Sequence, residues 1–159
     1  MRTVTETLVP ASEKPLFWRH FQNYLSELSI FVGKKPVNGE FEYPWFDLYW
    51  SEPTERWPFW ARLAGDVGGL ALVRLDNEDG RREISEFYVL PRLRRKGIGL
   101  QFARRLLSRF PGTWKLNQAS SNVGAIAFWH HVLDGFATYE ERRFFCEVER
   151  LEQRFTVGS

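Results

Sequence analysis

The sequence predicts an α/β (α+β) fold, a mixed central β-sheet with helices on both faces, and three observations carry that reading. Strand and helix signals run in the order β-α, three strands, α, β, α and two closing strands, which wraps helices around a sheet. In the middle, a strand rich in β-branched and aromatic residues, Ile84 to Leu90, leads through a proline and a basic glycine turn into an apolar-periodic helix that starts at Ile98. The 159 residues are 43% hydrophobic and 26% charged, enough apolar material for one compact core. No linker, repeat or low-complexity run interrupts the chain, so residues 1–159 are expected to form a single domain.

The elements follow in order. Thr3 to Val9 alternates and reads as a first strand. Ser12 suits a helix N-cap with Pro15 in the first turn; Phe17, Phe21, Tyr24, Leu25 and Leu28 then recur at helical spacing until Gly33. Residues 34–57 have no clean period. Phe59–Leu63 and Gly69–Leu75 read as strands joined at Gly65-Asp66, and Asp76 to Gly80 turns the chain into the central strand. After the helix from Ile98, Trp114–Asn117 is a short strand and Asn122–Leu133 a helix. Phe136–Tyr139 and Arg143–Glu149 are expected to close the sheet as a final pair.

Composition excludes several classes. The apolar runs are far shorter than a membrane span, and the N-terminus lacks the apolar segment of a secretion signal, so no membrane partner is expected. Cys146 is the only cysteine, which rules out an internal disulfide and fits a reducing, cytoplasmic setting. In the strand Phe144-Phe145-Cys146 it is expected to be inert core. Of 22 basic residues, seven lie between Pro91 and Arg109 with no acid among them, leaving 15 against 20 acids elsewhere. A nucleic-acid binder spreads its positive charge more widely, so a nucleic-acid partner is not expected.

The local charge sits on a turn suited to phosphate. Pro91 ends the strand, Gly97 and Gly99 permit a tight turn, and Arg94, Arg95 and Lys96 precede a helix N-terminus with free amides. The residues after Gly99 are Leu100, Gln101 and Phe102, so the third glycine of a dinucleotide fingerprint is missing, and no GxxxxGK[ST] run occurs.

What remains, Arg94-x-x-Gly97-x-Gly99 after Val89-Leu90-Pro91, resembles the pyrophosphate motif of the GNAT superfamily of acetyl-CoA-dependent N-acetyltransferases. A second block, Asn122-x-x-Ala125 with Phe128-Trp129 and Gly135-Phe136, stands at the family's usual distance. The resemblance covers roughly residues 58–150 and implies direct acetyl transfer from acetyl-CoA, as co-substrate, to an amine, without a metal. It implies that Val89, Arg94, Arg95, Lys96, Gly97, Ile98, Gly99 and Leu100 hold the coenzyme together with Asn122 and Phe128. Asn122 is equally suited to a plain N-cap. The resemblance also places the acetyl carbonyl near a Val89 backbone amide, where the central strand splays open.

Glu86, mid-strand near that point, is the candidate general base, since an alkylamine of pKa near 10.4 arrives protonated at neutral pH. The acid is less defined. Trp129 stands where many of these enzymes have a tyrosine, and indole is no acid, so Tyr88, His130 or solvent is left to protonate the leaving sulfur. His130 and His131 point about 100° apart on a helix and form no metal pair.

The segment Pro36–Trp60 holds nine aromatic residues and five acids (Glu40, Glu42, Asp47, Glu52, Glu55) against one base, Arg56. Aromatics with acids suit a small-molecule amine acceptor, cationic in form. A packed stabilising loop or a homodimer face explains the same composition. A catalytically silent module that binds acyl-CoA and regulates or contacts a partner remains the alternative to an enzyme.

Overall fold

The computed structural model describes residues 2–159. Its strands are β1 (Val4–Leu8), β2 (Arg56–Leu63), β3 (Asp66–Leu75), β4 (Arg82–Val89), β5 (Gly112–Ala119), β6 (Tyr139–Cys146) and β7 (Val148–Val157). The helices are α1 (Lys14–Val32), the single turn α2 (Leu48–Ser51), α3 (Ile98–Arg109) and α4 (Val123–Leu133). The strands form one sheet in the order β1-β2-β3-β4-β5-β7-β6, antiparallel throughout except between β4 and β5.

Alternating side chains along the strands sort the two layers. Trp60 faces α1, its ring 5.1 Å from Phe17, in an aromatic cluster with Phe21, Phe46 and Trp50. Phe59 and Phe87 face the other way. Phe59 lies beneath Arg109 of α3, and Phe87 packs on Phe102 of α3 and on Phe128 and Trp129 of α4, at 5.2, 5.4 and 5.0 Å. Helices therefore cover both faces, as the element order predicts. At Gly69 β3 runs so close to β4 that an added Cβ would collide with the Tyr88 carbonyl oxygen.

Three local expectations are corrected. Ser12 does not cap α1. Residues Ala11–Glu13 form a 3-10 turn after Pro10, and Glu13 instead accepts from Trp60 Nε1 and Arg62 at 2.9 and 3.0 Å. The closing strands are Tyr139–Cys146 and Val148–Val157, shifted toward the C-terminus and longer than expected, with the turn at Glu147 in the left-handed region (φ 64°). β6 is an edge strand exposed along most of its length, so its sequence lacks the apolar alternation that marks a half-buried strand. Cys146 is exposed and not core, because it ends that edge strand.

The feature that positions the site is a split in the sheet. β4 and β5 pair only at Arg82↔Trp114 and Glu83↔Lys115, then diverge. A bulge causes the bend. Against β3, Val73 pairs with Ile84 and Leu72 with Glu86, which leaves Ser85 as the extra residue. The Ser85 hydroxyl is held by the Leu72 carbonyl at 3.1 Å and the Tyr49 hydroxyl at 2.8 Å.

Candidate active site

Beyond Glu83 the β5-facing edge of β4 is open, and its backbone groups are the first elements of the site. Leu90 N donates to Gly68 O across the β3 ladder. Because facing groups alternate along an antiparallel strand, the N–H and C=O of Val89 point away from β3, toward the opening. The Val89 carbonyl accepts Arg94 Nε at 3.0 Å.

Two clefts meet at the split, each about 720 Å³. Both are lined by Tyr24, Leu28, Phe87, Asn122, Ala125 and Trp129, so the two clefts adjoin and share a wall. Volumes of this size suit small ligands.

The second cleft carries the glycine turn. Arg95 and Gly97 have left-handed backbones (φ 61° and 78°), and no side chain caps the N-terminus of α3, so its first amides remain for an anion. A Cβ on Gly97 would meet nothing within 4 Å, so the turn opens outward. Gly99 is small for another reason: its Cβ would stand 3.0 Å from the Phe128 ring and 3.4 Å from a Val89 methyl. Val89, Arg94, Arg95, Gly97, Gly99, Leu100, Asn122 and Phe128 all line this cleft. The Ile98 side chain is buried in the core, so only its backbone faces the turn, and Lys96 is exposed beside it. Asn122 Oδ1 accepts Ala125 N at 3.2 Å and so caps α4 while it lines both clefts.

Much of the positive charge near the turn is already engaged. Arg94 bonds Glu27 of α1 at 2.9 Å and lies over the Tyr88 ring. Arg105 and Arg109 hold Glu6 of β1, and Arg104 bonds carbonyl oxygens at the end of α4. The basic helix is stitched into the fold and does not present a continuous cationic face. Tyr88 donates to Glu27 at 3.2 Å, and burial followed by that carboxylate's charge raises its hydroxyl pKa.

Glu86 lines the first cleft. Tyr24 on α1 donates to one of its oxygens at 2.6 Å, and Tyr43, from the aromatic segment, to the other at 2.8 Å. Burial pushes the Glu86 carboxyl up to about 7, against the pull of the two hydroxyls. Burial and the Glu86 charge push both tyrosines well above their usual range, so they stay protonated donors. Neither tyrosine stands out as a candidate in the sequence: Tyr24 reads as one position of an apolar helix stripe and Tyr43 as one of nine aromatics.

The aromatic segment divides between two jobs. Phe46, Tyr49, Phe59 and Trp60 are core, whereas Phe41, Tyr43 and Trp45 line the first cleft. Of its five acids only Glu42 reaches that cleft. Glu40 accepts from Trp18, Asp47 pairs with Lys14, Glu52 with Arg56, and Glu55 accepts from Asn77. His130 bonds Glu141 at 2.5 Å, stacks on Tyr139 and lines neither cleft, so it does not fill the acid's place.

The family model described as the acetyltransferase (GNAT) family matches residues 18–134, spanning α1 through α4. The chain belongs to the GNAT acetyltransferase family. No curated protein matches it in sequence. Solved GNAT-type structures share its fold. An acetyltransferase from Thermus thermophilus is 15% identical with a TM-score of 0.72, covering 99% of this chain and 100% of that one. Aminoglycoside acetyltransferase AAC(6')-Ib, in complex with coenzyme A, is 16% identical with a TM-score of 0.70, over 97% and 95% of the two chains. Spermidine N-acetyltransferase from Vibrio cholerae, with CoA and spermine, is 14% identical with a TM-score of 0.68, over 98% and 95%. At these identities the likeness is one of fold. Among the described residues of this GNAT chain, no helix is long and apolar enough to cross a membrane.

Proposed function

We propose that this chain is an N-acetyltransferase that uses acetyl-CoA and delivers the acetyl group directly to a small amine, which enters as an ammonium ion. The observation that carries the reading is Glu86, a carboxylate raised to about 7 and held between two tyrosine hydroxyls where two clefts meet. A base poised near working pH is what deprotonation of an amine requires.

The second cleft fits the coenzyme. The uncapped amides of α3 and Arg95 suit its pyrophosphate; Leu100, Phe128 and Val89 offer apolar contact to its arm. When bound, the thioester supplies an acetyl carbon already activated toward attack. The Val89 N–H, turned toward the opening, is placed to donate to an oxygen that gains negative charge. Glu86 takes the proton from the acceptor nitrogen in the first cleft.

Tyr24 is the acid in this reading. It lines both clefts and touches Glu86, so its Oη passes a proton to the departing sulfur while it receives the one held on Glu86. The N–C bond forms and the C–S bond breaks; of the two protons the ammonium nitrogen loses, one reaches sulfur through Glu86 and Tyr24 and the other leaves to water. The transfer runs downhill overall, from a carboxyl near 7 to a thiolate whose conjugate acid resembles a cysteine thiol, near 8.5. Tyr24 thus fills the role that Trp129 cannot.

The test is thiol release from acetyl-CoA with a panel of amines across pH. With a reactive acceptor, kcat/KM should rise about tenfold per pH unit below about 7 and level off above it, because Glu86 must be deprotonated. Tyr24→Phe should lower kcat about 10–100-fold with coenzyme affinity retained. It should also move the midpoint upward, since the carboxylate loses a donor. A pH-independent rate would remove Glu86 as the base. Coenzyme binding without turnover of any amine would favour the silent-module reading, which the tryptophan at 129 suggests.

A further inference from the structure

The first cleft is electrostatically mixed, and that bears on what it accepts. Its charged lining is Glu42, Glu86 and Glu147 against Lys34, Lys35 and Arg150. Lys34 and Glu147 face each other at 3.6 Å and offset one another. That leaves two carboxylates and two cations. A polyamine's second ammonium would find Glu42 as its one remaining carboxylate, on a lining that also carries the cations Lys35 and Arg150, so the cleft as a whole does not favour a polycation.

Arg150 is held in a particular way. It lies near the start of β7, on the far wing of the split, paired in register with Ala119 of β5. Its Nε donates to the Cys146 carbonyl at 3.1 Å, and Nη1 to Asn117 Oδ1 at 3.2 Å. Asn117 is itself fixed by Glu83, which Arg74 holds in turn at 2.8 Å. Both acceptors of Arg150 are neutral. Among the described residues no carboxylate pairs with it, and Nη2 has no partner. A guanidinium oriented by neutral groups, with donors left over, is preorganised for a carboxylate. Its field reaches the base, because Arg150 lowers the pKa values of both Glu86 and Tyr24. The wall also carries an apolar stretch, with Leu25, Leu28, Phe41 and Trp45.

We infer that the acceptor is an amine that also bears a carboxylate on an apolar body, an amino-acid-like zwitterion. Its nitrogen meets Glu86 on one wing of the split sheet and its carboxylate meets Arg150 on the other. This rests on the acetyl-transfer reading for the role of Glu86, but the carboxylate subsite is testable by binding alone.

The experiment is calorimetric titration of the protein in saturating CoA with L-phenylalanine, L-phenylalaninamide, phenethylamine and spermidine. Wild type should bind phenylalanine at least tenfold more tightly than its amide or phenethylamine, with spermidine weakest. Arg150→Gln should abolish the preference for phenylalanine over the amide, and Arg150→Lys should keep part of it. Comparing two ligands within one variant cancels any change at Glu86, and a thermal melt checks that each variant is folded. Equal binding of acid and amide, no measurable binding of any ligand, tighter binding of spermidine, or a preference that survives Arg150→Gln would each overturn the inference. Acetylation measured in the same samples separates the two readings: a carboxylate preference without acetyl transfer keeps the subsite and removes the proposed catalysis.

Discussion

Glu86→Gln should cost about 10²–10⁴-fold in kcat and, at alkaline pH, make the protein more stable. Both effects come from one environment. Burial raises this carboxyl from 4.5 to about 7, so the folded state binds a proton more readily than the unfolded chain does. Stability is then fully present below about 4.5 and falls as pH climbs through about 7. A shift of that size corresponds to at most about 3 kcal/mol at pH 8, given 1.36 kcal/mol per unit. Glutamine carries no charge to desolvate and still offers an oxygen to Tyr24 or Tyr43. The variant should therefore melt several degrees above wild type at pH 8 and coincide with it near pH 4.5. Coenzyme affinity should not change, because Glu86 lines only the first cleft. Unaltered turnover would remove Glu86 from the chemistry; a variant destabilised at pH 8 would mean that the carboxylate is stabilised where it sits.

Gly97→Val should weaken CoA binding at least 100-fold, about 2.7 kcal/mol, and leave a folded protein. Gly97 adopts φ 78°, which a β-branched residue reaches only with strain of about 1–3 kcal/mol. Relief of that strain re-aims the amides at the start of α3. The valine side chain also enters the open space in front of the turn, where nothing of the protein lies within 4 Å. Gly99→Val is the contrasting variant, since its side chain presses on Phe128 and Val89 and should show first as a lower melting temperature. Titration of CoA into each variant, beside its melt, separates the two effects. A Gly97→Val protein that binds CoA as wild type does would overturn the assignment of the turn.

Burial and hydration pull against each other at Glu86. The α1 residue Tyr24, the loop residue Tyr43 and the bulge at Ser85 together enclose a carboxylate that would be more stable in water. The same bulge bends β4 away from β5 and so creates the opening that the Val89 amide faces.

Local chemistry makes part of this protein legible in the amino-acid sequence alone. The proline stop, the glycines at 97 and 99 and the helical period from Ile98 act within a few residues, so the strand–turn–helix unit can be read directly. The apolar runs of β2 and β3 and the cap at Asn122 are legible for the same reason. β6 escapes such reading because an exposed edge strand carries no apolar period, and two neighbouring phenylalanines give exposed Cys146 the look of a core residue. Glu86 is a candidate from the sequence, but only the tertiary structure decided which acids of the aromatic segment reach the first cleft and what surrounds Glu86. Four of the five in the aromatic segment are tied elsewhere, while Glu86 gains partners 62 and 43 residues away in the chain. Contacts at that separation are set by how α1 and the aromatic segment pack on the sheet, which no local pattern of residues encodes.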